Sequence, residues 1–130
     1  MTNAFLLDTH TLLWFLEGST KLSQKVKNTI LDKSNSCYIS MASLWEMAIK
    51  IKLGKLELEI EFQQLAELLY QNNINIIQIS FEHIQHLLKL EDVHRDPFDR
   101  IIISQAIFEK LIVISKDENF SKYKELKVIW

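Results

Sequence analysis

Three short apolar runs and one β-branched segment constrain this chain most: AFLL (4–7), CYIS (37–40) and LIVIS (111–115), with INIIQIS (74–80). A strand with one wet face alternates apolar and polar residues, whereas an unbroken apolar run is expected where both faces of a sheet are covered. The segments between the runs carry helical spacing instead. HTLLWFL (10–16) reads as a short helix stopped near Gly18, and SQKVKNTILDK (23–33) places Val26, Ile30 and Leu31 on one face. MASLWEMAIKIKLGK (41–55) aligns Leu44, Ala48 and Ile51, with Gly54 near its stop. EFQQLAELLYQNN (61–73) aligns Phe62, Leu65, Leu68 and Leu69, and FEHIQHLLKL (81–90) is helical again. PFDRIIISQAIFEK (97–110) opens with Pro97 at the first helical position, where proline costs nothing. KVIW (127–130) reads as a last edge strand. Strands alternating with helices predict an α/β fold: a central, mainly parallel sheet between two helical layers, in the Rossmann-like manner.

Composition narrows the setting. A chain of 130 residues suits one domain, 1–130, and 48% hydrophobic content can supply one core. Two glycines and one proline leave only short loops and no linker. With no apolar run of about eighteen residues, no membrane span is expected. The opening stretch MTNAFLLDTHTLLWFLEG lacks basic residues and carries an early acid, a poor match to a secretory signal. The lone Cys37 precludes an internal disulfide and suits a reducing compartment, so the expected location is cytoplasmic and the thiol is read as core. The formal net charge is −2, whereas proteins that hold nucleic acid by charge alone are basic.

Parallel sheets bind ligands beyond the carboxyl ends of their strands, which directs attention to the residues just after AFLL, CYIS and LIVIS. Acids stand there. Asp8 follows the first run, Asp117 lies two residues after LIVIS, and Glu46 is early in the helix after CYIS. Asp96 and Asp99 open the helix before LIVIS. Each also has a plain capping reading. SLWE (43–46) and SKDE (115–118) match the capping box, DPFD (96–99) has an acid cap with proline behind it, and Asp8 can cap the helix it precedes. Capping is the better reading for any one of them, and for Asp96 in particular. It does not require them to gather at one rim, however, and Asp99 shares its helical face with Ile102, Ile103 and Ala106. Four carboxylates at one spot repel, and some are held protonated unless a cation intervenes. Mg²⁺ and Mn²⁺ favour such oxygen donors. His10, His83, His86 and His94 are scattered, with His83 and His86 read as surface residues of their helix.

Four stretches, LLDTHTLLWFL, SLWEMAIKIKLGKL, DPFDRIIISQA and VISKDENF, resemble the four acidic motifs of the PIN-domain ribonucleases, most of all the VapC-type toxins of prokaryotic toxin–antitoxin pairs. The resemblance runs from the first strand to SKDENF, nearly the whole chain, and matches in order, spacing and flanking residues. It implies the PIN fold, with Asp8, Glu46, Asp99 and Asp117 as the catalytic and metal-holding acids. Thr9 and Ser115 stand beside them as supporting residues, with Asp96 as the cap of a subgroup signature, HRDPFDR. His10 departs from the asparagine many members carry after the Asp-Thr pair.

By the same resemblance the chain is a Mg²⁺- or Mn²⁺-dependent endoribonuclease, holding one or two ions, and the toxin of a type II pair. Metal-assisted phosphodiester hydrolysis would leave a 5′-phosphate and a 3′-hydroxyl. RNA, a cognate antitoxin and a second copy of the chain are the implied partners. The ion rather than the net charge would attract phosphate, with Lys50, Lys52 and Lys55 as a modest basic edge or a plain solvated face. Two rivals stay open: a PIN-fold interaction module without turnover, and a phospho-aspartate phosphatase suggested by DTHTL, weakened because His10 stands where that chemistry needs a second Asp. No base-reading motif identifies the RNA. LLWFLEG (12–18) crowds more apolar surface onto one short helix than a small domain can bury. Trp14 or Phe15 is therefore expected to stay exposed near Asp8 and be covered by another chain. In the helix after CYIS, Leu44 is expected to be buried and Trp45 only partly so, since the helix needs just one inward face.

Overall fold

A computed structural model of the protein describes residues 3–130. Five strands form the sheet: β1 (Ala4–Leu7), β2 (Ser36–Ser40), β3 (Ile74–Ile77), β4 (Ile112–Ile114) and β5 (Val128–Ile129). The helices are α1 (Thr9–Glu17), α2 (Gln24–Leu31), α3 (Met41–Lys52), α4 (Leu65–Gln71), α5 (Phe81–His86), α6 (Pro97–Glu109) and α7 (Glu118–Ser121). The strands lie in the order β3-β2-β1-β4-β5, and every neighbouring pair is parallel. The expected three-layer α/β/α arrangement is therefore what the chain adopts.

Pleating explains how the short apolar runs serve both layers. Phe5, Leu7, Cys37, Ile39 and Ile114 point into one core with Leu12, Leu13, Val26, Met47 and Leu69. The intervening Leu6 and Val113 point into a second core with Ile102, Ile103, Ala106, Phe120 and Tyr123. Cys37 is buried in the first, and burial pushes its thiol up to about 11, so it is an inert core group.

Element identities follow the sequence, but several ends do not. The run INIIQIS forms a strand only over Ile74–Ile77. The helical segments 61–73 and 81–90 each include a 3₁₀ turn, Phe62–Gln64 and Leu87–Lys89. The helix begun at Met41 ends at Lys52, and Gly54 follows at φ +73°, a left-handed conformation that favours glycine. A short helix, α7, was not legible in SKDENF.

Strand order reverses in sequence between β1 and β4: β2 and β3 build outward on one side of β1, while β4 and β5 build on the other. This is the switch point at which open parallel sheets leave a crevice. The register makes its rim flush, since Leu7 pairs with both Ile39 and Ile114. Asp8, Ser40 and Ser115 are thus the first rim residues of three adjacent strands.

Helix α3 packs with the expected phase, but more openly. Leu44 is 9% exposed, whereas Trp45 is 59% exposed and touches Phe98 edge-on at 5.1 Å between ring centroids. Leu44→Ala is expected to cost about 2–4 kcal/mol in denaturant unfolding, and Trp45→Ala about 1 kcal/mol or less. Equal losses at the two positions would show the helix phase to be wrong.

Candidate active site

Asp8 follows β1 without a break and does two things at once. Its Oδ1 accepts the Thr11 N–H at 2.8 Å, capping α1, and its Oδ2 accepts the Ser115 hydroxyl at 2.5 Å. The Asp8 N–H and the Thr11 hydroxyl both donate to the Ile114 carbonyl, at 3.2 and 3.0 Å, binding the start of α1 to the end of β4. The carboxyl is buried. Burial pushes its pKa above the ordinary value, against the pull of the hydrogen bonds from Ser115 and Thr11.

Ser115 also accepts the Asp117 N–H at 3.0 Å, so one hydroxyl joins Asp8 to Asp117. Asp117 caps α7 by accepting the Asn119 N–H at 2.9 Å. In SKDE the capping residue is therefore Asp117 rather than Ser115. The capping box proposed for SLWE does not form either: Ser40 caps α3, and Ser43 lies within the helix. Glu46 is buried instead, and since a carboxylate can only accept, the Thr9 hydroxyl proton goes to it at 2.8 Å. Its other oxygen is 3.1 Å from Lys50, so this acid has a cationic partner, and Lys50 is not simply a solvated face.

Asp96 accepts the N–H groups of Phe98 and Asp99 and caps α6, with Pro97 at its first position, as expected. Asp99 then turns toward the interior, above the buried Ile102, Ile103 and Ala106. Its carboxyl is pushed up to about 7, first by burial and then by the negative charges of Asp96, Glu46, Asp117 and Asp8. The acids are therefore close enough to feel one another. Among the described residues, though, no three acid, histidine or cysteine side chains stand close enough to share an ion as they are placed. The chemistry of the donor set suits a hard divalent cation: it is all oxygen and excessively negative, and its inward member is strained toward protonation.

A cleft of about 350 Å³ opens between the ends of β1 and β4, lined by Asp8, His10, Trp14, Lys116 and Asp117. Lys116 is a cation that sequence reasoning passed over. Trp14 and Phe15 are less exposed than expected. Both are half-buried against the protein's own core, and Trp14 meets the Trp130 ring at 5.8 Å with Lys21 over its face. The bulk of α1 is thus largely absorbed within the chain. His83, expected on the surface, is buried: its Nδ1 accepts the Ser80 N–H and its Nε2 faces Glu109 at 3.2 Å.

His94 was unassigned by spacing because it sits in the loop before α6, where no periodicity applies. Its Nε2 is 3.5 Å from Asp99 Oδ2, and its Nδ1 is 2.6 Å from the Tyr123 hydroxyl. Arg100 donates to that same hydroxyl at 3.1 Å and to the carbonyls of Glu91 and His94. Burial pushes the His94 pKa below its ordinary value. The HRDPFDR stretch, with its histidine and arginine flanking the acids, was the one available signal for this group.

Comparison with known proteins agrees with the architecture. The PIN domain family model matches residues 5–126, and the chain belongs to the PIN domain family. No curated protein matches the sequence. Among solved structures, the chain is similar to one in the VapBC2 complex of Rickettsia felis bound to a promoter DNA fragment, with a TM-score of 0.74 and 18% identity over 97% of each chain. It is also similar to one in the DNA-bound VapBC complex of Salmonella typhimurium, with a TM-score of 0.72 and 17% identity over 98% of this chain and 97% of that one. A toxin–antitoxin complex from Klebsiella pneumoniae gives a TM-score of 0.65 and 22% identity over 96% and 95%. At these identities the likeness is one of fold.

The raised Asp99 value fixes the sign of a pH effect. Between its ordinary value of 3.8 and about 7, the folded carboxyl keeps a proton that the unfolded chain releases. Its contribution to stability therefore falls as pH rises through that window and levels off above it. In chelator, the melting temperature of the wild type relative to Asp99→Asn is expected to fall steadily from about pH 4 to pH 7. A constant difference would show that Asp99 is not perturbed.

Proposed function

We propose that the protein is a Mg²⁺- or Mn²⁺-dependent ribonuclease that cleaves RNA internally by phosphodiester hydrolysis, and that it is the toxin of a type II toxin–antitoxin pair. The observation that carries this reading is Asp99. It is an inward carboxylate raised first by burial and then by four neighbouring acids, and a divalent cation would relieve it. Membership of the PIN domain family supports the nuclease class, and structural likeness to chains of VapBC complexes supports the toxin role.

Asp8, Glu46, Asp99 and Asp117 are the residues that would hold one or two ions. When bound, such an ion neutralises charge at the phosphoryl oxygens and lowers the pKa of an attacking water. The remaining residues act by positioning. Ser115 and Thr11 hold the two oxygens of Asp8, Thr9 orients Glu46, and Asp96 fixes the first turn from which Asp99 projects. Lys116 at the cleft offers a positive charge for a phosphate. No side-chain nucleophile is required.

Asp8→Asn and Asp99→Asn are each expected to abolish Mg²⁺- or Mn²⁺-dependent cleavage of single-stranded RNA while preserving the circular dichroism spectrum. Excess chelator should silence the wild type. Full cleavage in either variant, or in chelator, would refute the mechanism.

For the partner, we place an apolar antitoxin segment beside α1 at Trp14 and Phe15, with a basic side chain reaching the acids. The enzyme would act in the cytoplasm and as a homodimer, with the buried free thiol suited to a reducing compartment. Trp14 lines the cleft, and a half-buried aromatic so placed is a favoured anchor for such contacts. With the product of a small neighbouring open reading frame as ligand, Trp14→Ala is expected to weaken binding at least about tenfold with folding retained. Global unfolding of that variant would make Trp14 a core residue and remove the proposed groove.

A further inference from the structure

We infer that His94 is a positioning residue for Asp99, presenting an Nε2–H to its carboxylate through a tautomer set by Tyr123 and Arg100. The inference rests on the metal-site reading above and adds a residue to it.

The protons can be placed by elimination. Arg100 is a donor only, so its contact with the Tyr123 hydroxyl at 3.1 Å occupies a lone pair of that oxygen. The hydroxyl is also 2.6 Å from His94 Nδ1. Either the phenol donates to Nδ1, or Nδ1–H donates to the phenol. In the second case the phenolic proton needs a third acceptor, and Tyr123 has none among the described residues. The ring would also aim a bare lone pair at a carboxylate oxygen 3.5 Å away. In the first case both conflicts vanish. Nδ1 accepts, Nε2 carries the proton, and that proton faces Asp99 Oδ2.

His94 Nε2 is buried, with its side chain 9% exposed, and has no hydrogen-bond partner among the described residues. A buried donor left unmade is costly, so a group so placed is expected to have an acceptor within a small rotation. Among the described residues the only carboxylate paired with it is Asp99, and closing 3.5 Å to bonding range needs a shift of about half an ångström. The HRDPFDR stretch then reads as one device. Asp96 and Pro97 start α6, and His94 lies against its first turn. Arg100 fastens both the His94 carbonyl and the tyrosine that selects the tautomer.

The test is calorimetric titration of Mn²⁺ into the full chain, alongside melting temperatures. Loss of a residue that orients a metal-holding carboxylate lowers metal affinity by about 10- to 100-fold. His94→Ala is expected to do so, and His94→Gln to recover most of the affinity, because its amide N–H reaches about as far as Nε2. Tyr123→Phe should fall between them, since the imidazole is then free to take either tautomer. His94→Gln and Tyr123→Phe should both still melt cooperatively, so that a loss of affinity is not a loss of fold. Unchanged Mn²⁺ affinity in His94→Ala overturns the inference, as does an equal loss in His94→Gln, which would make the ring a direct ligand. Should His94→Ala fail to fold, unchanged affinity in Tyr123→Phe overturns it. A wild type that binds no Mn²⁺ overturns the proposed metal function as well. One that binds Mn²⁺ and is insensitive to His94 overturns this inference alone.

Discussion

The hydrogen bond from the Ser115 hydroxyl to Asp8 is the contact on which the rim depends. It spans the one place where the sheet changes direction, and it satisfies an acid that burial would otherwise make very unfavourable. The Thr11 hydroxyl and the Asp8 N–H close on the same Ile114 carbonyl. The ends of β1 and β4 and the start of α1 therefore form one knot of polar groups between two apolar layers. Low surrounding polarity strengthens each bond in such a knot and raises the cost of losing any one.

Capping and site formation turn out to share the same residues. In a parallel α/β fold each helix begins where a strand ends, so helix N-termini and strand C-termini crowd one edge. An acid placed there stabilises the helix dipole locally and adds negative charge to the rim globally. Asp8, Asp96 and Asp117 each cap a helix, while their charges all bear on the cleft or on Asp99. Local helix chemistry thus supplies part of the charge that makes Asp99 unfavourable in isolation.

The layers were legible because the strands are short, mainly apolar or β-branched segments and each helix carries its own spacing. LIVIS and the Pro97 start of α6 could hardly be read otherwise. The placement of Asp8 and Asp117 at the strand ends and of Asp99 in the first turn of α6 was legible from the runs and motifs that surround them. What escaped reading was set by contacts between distant segments. His83 is buried because Ser80 and Glu109 satisfy both ring nitrogens, which spacing along α5 cannot show. Trp14 is half-covered because Trp130, more than a hundred residues away, returns to α1 beside β5, and Phe15 packs against the protein's own core. Trp45 stays open because α3 needs only one inward face and Phe98 shields just its edge. Tyr123 carried no signal at all, since its role exists only where the α7 loop meets Arg100.

The flush register at Leu7, Ile39 and Ile114 has a consequence for how such a chain can vary. Side chains alternate along a strand, so one residue added or lost within β1 or β4 would turn the polar knot toward the wrong layer and the apolar residues toward the rim. Length changes are therefore barred from the strands and steered into the connections, such as the stretch between α3 and α4. Descendants of this chain can lengthen their surfaces freely, but they inherit the acidic edge at a fixed gauge.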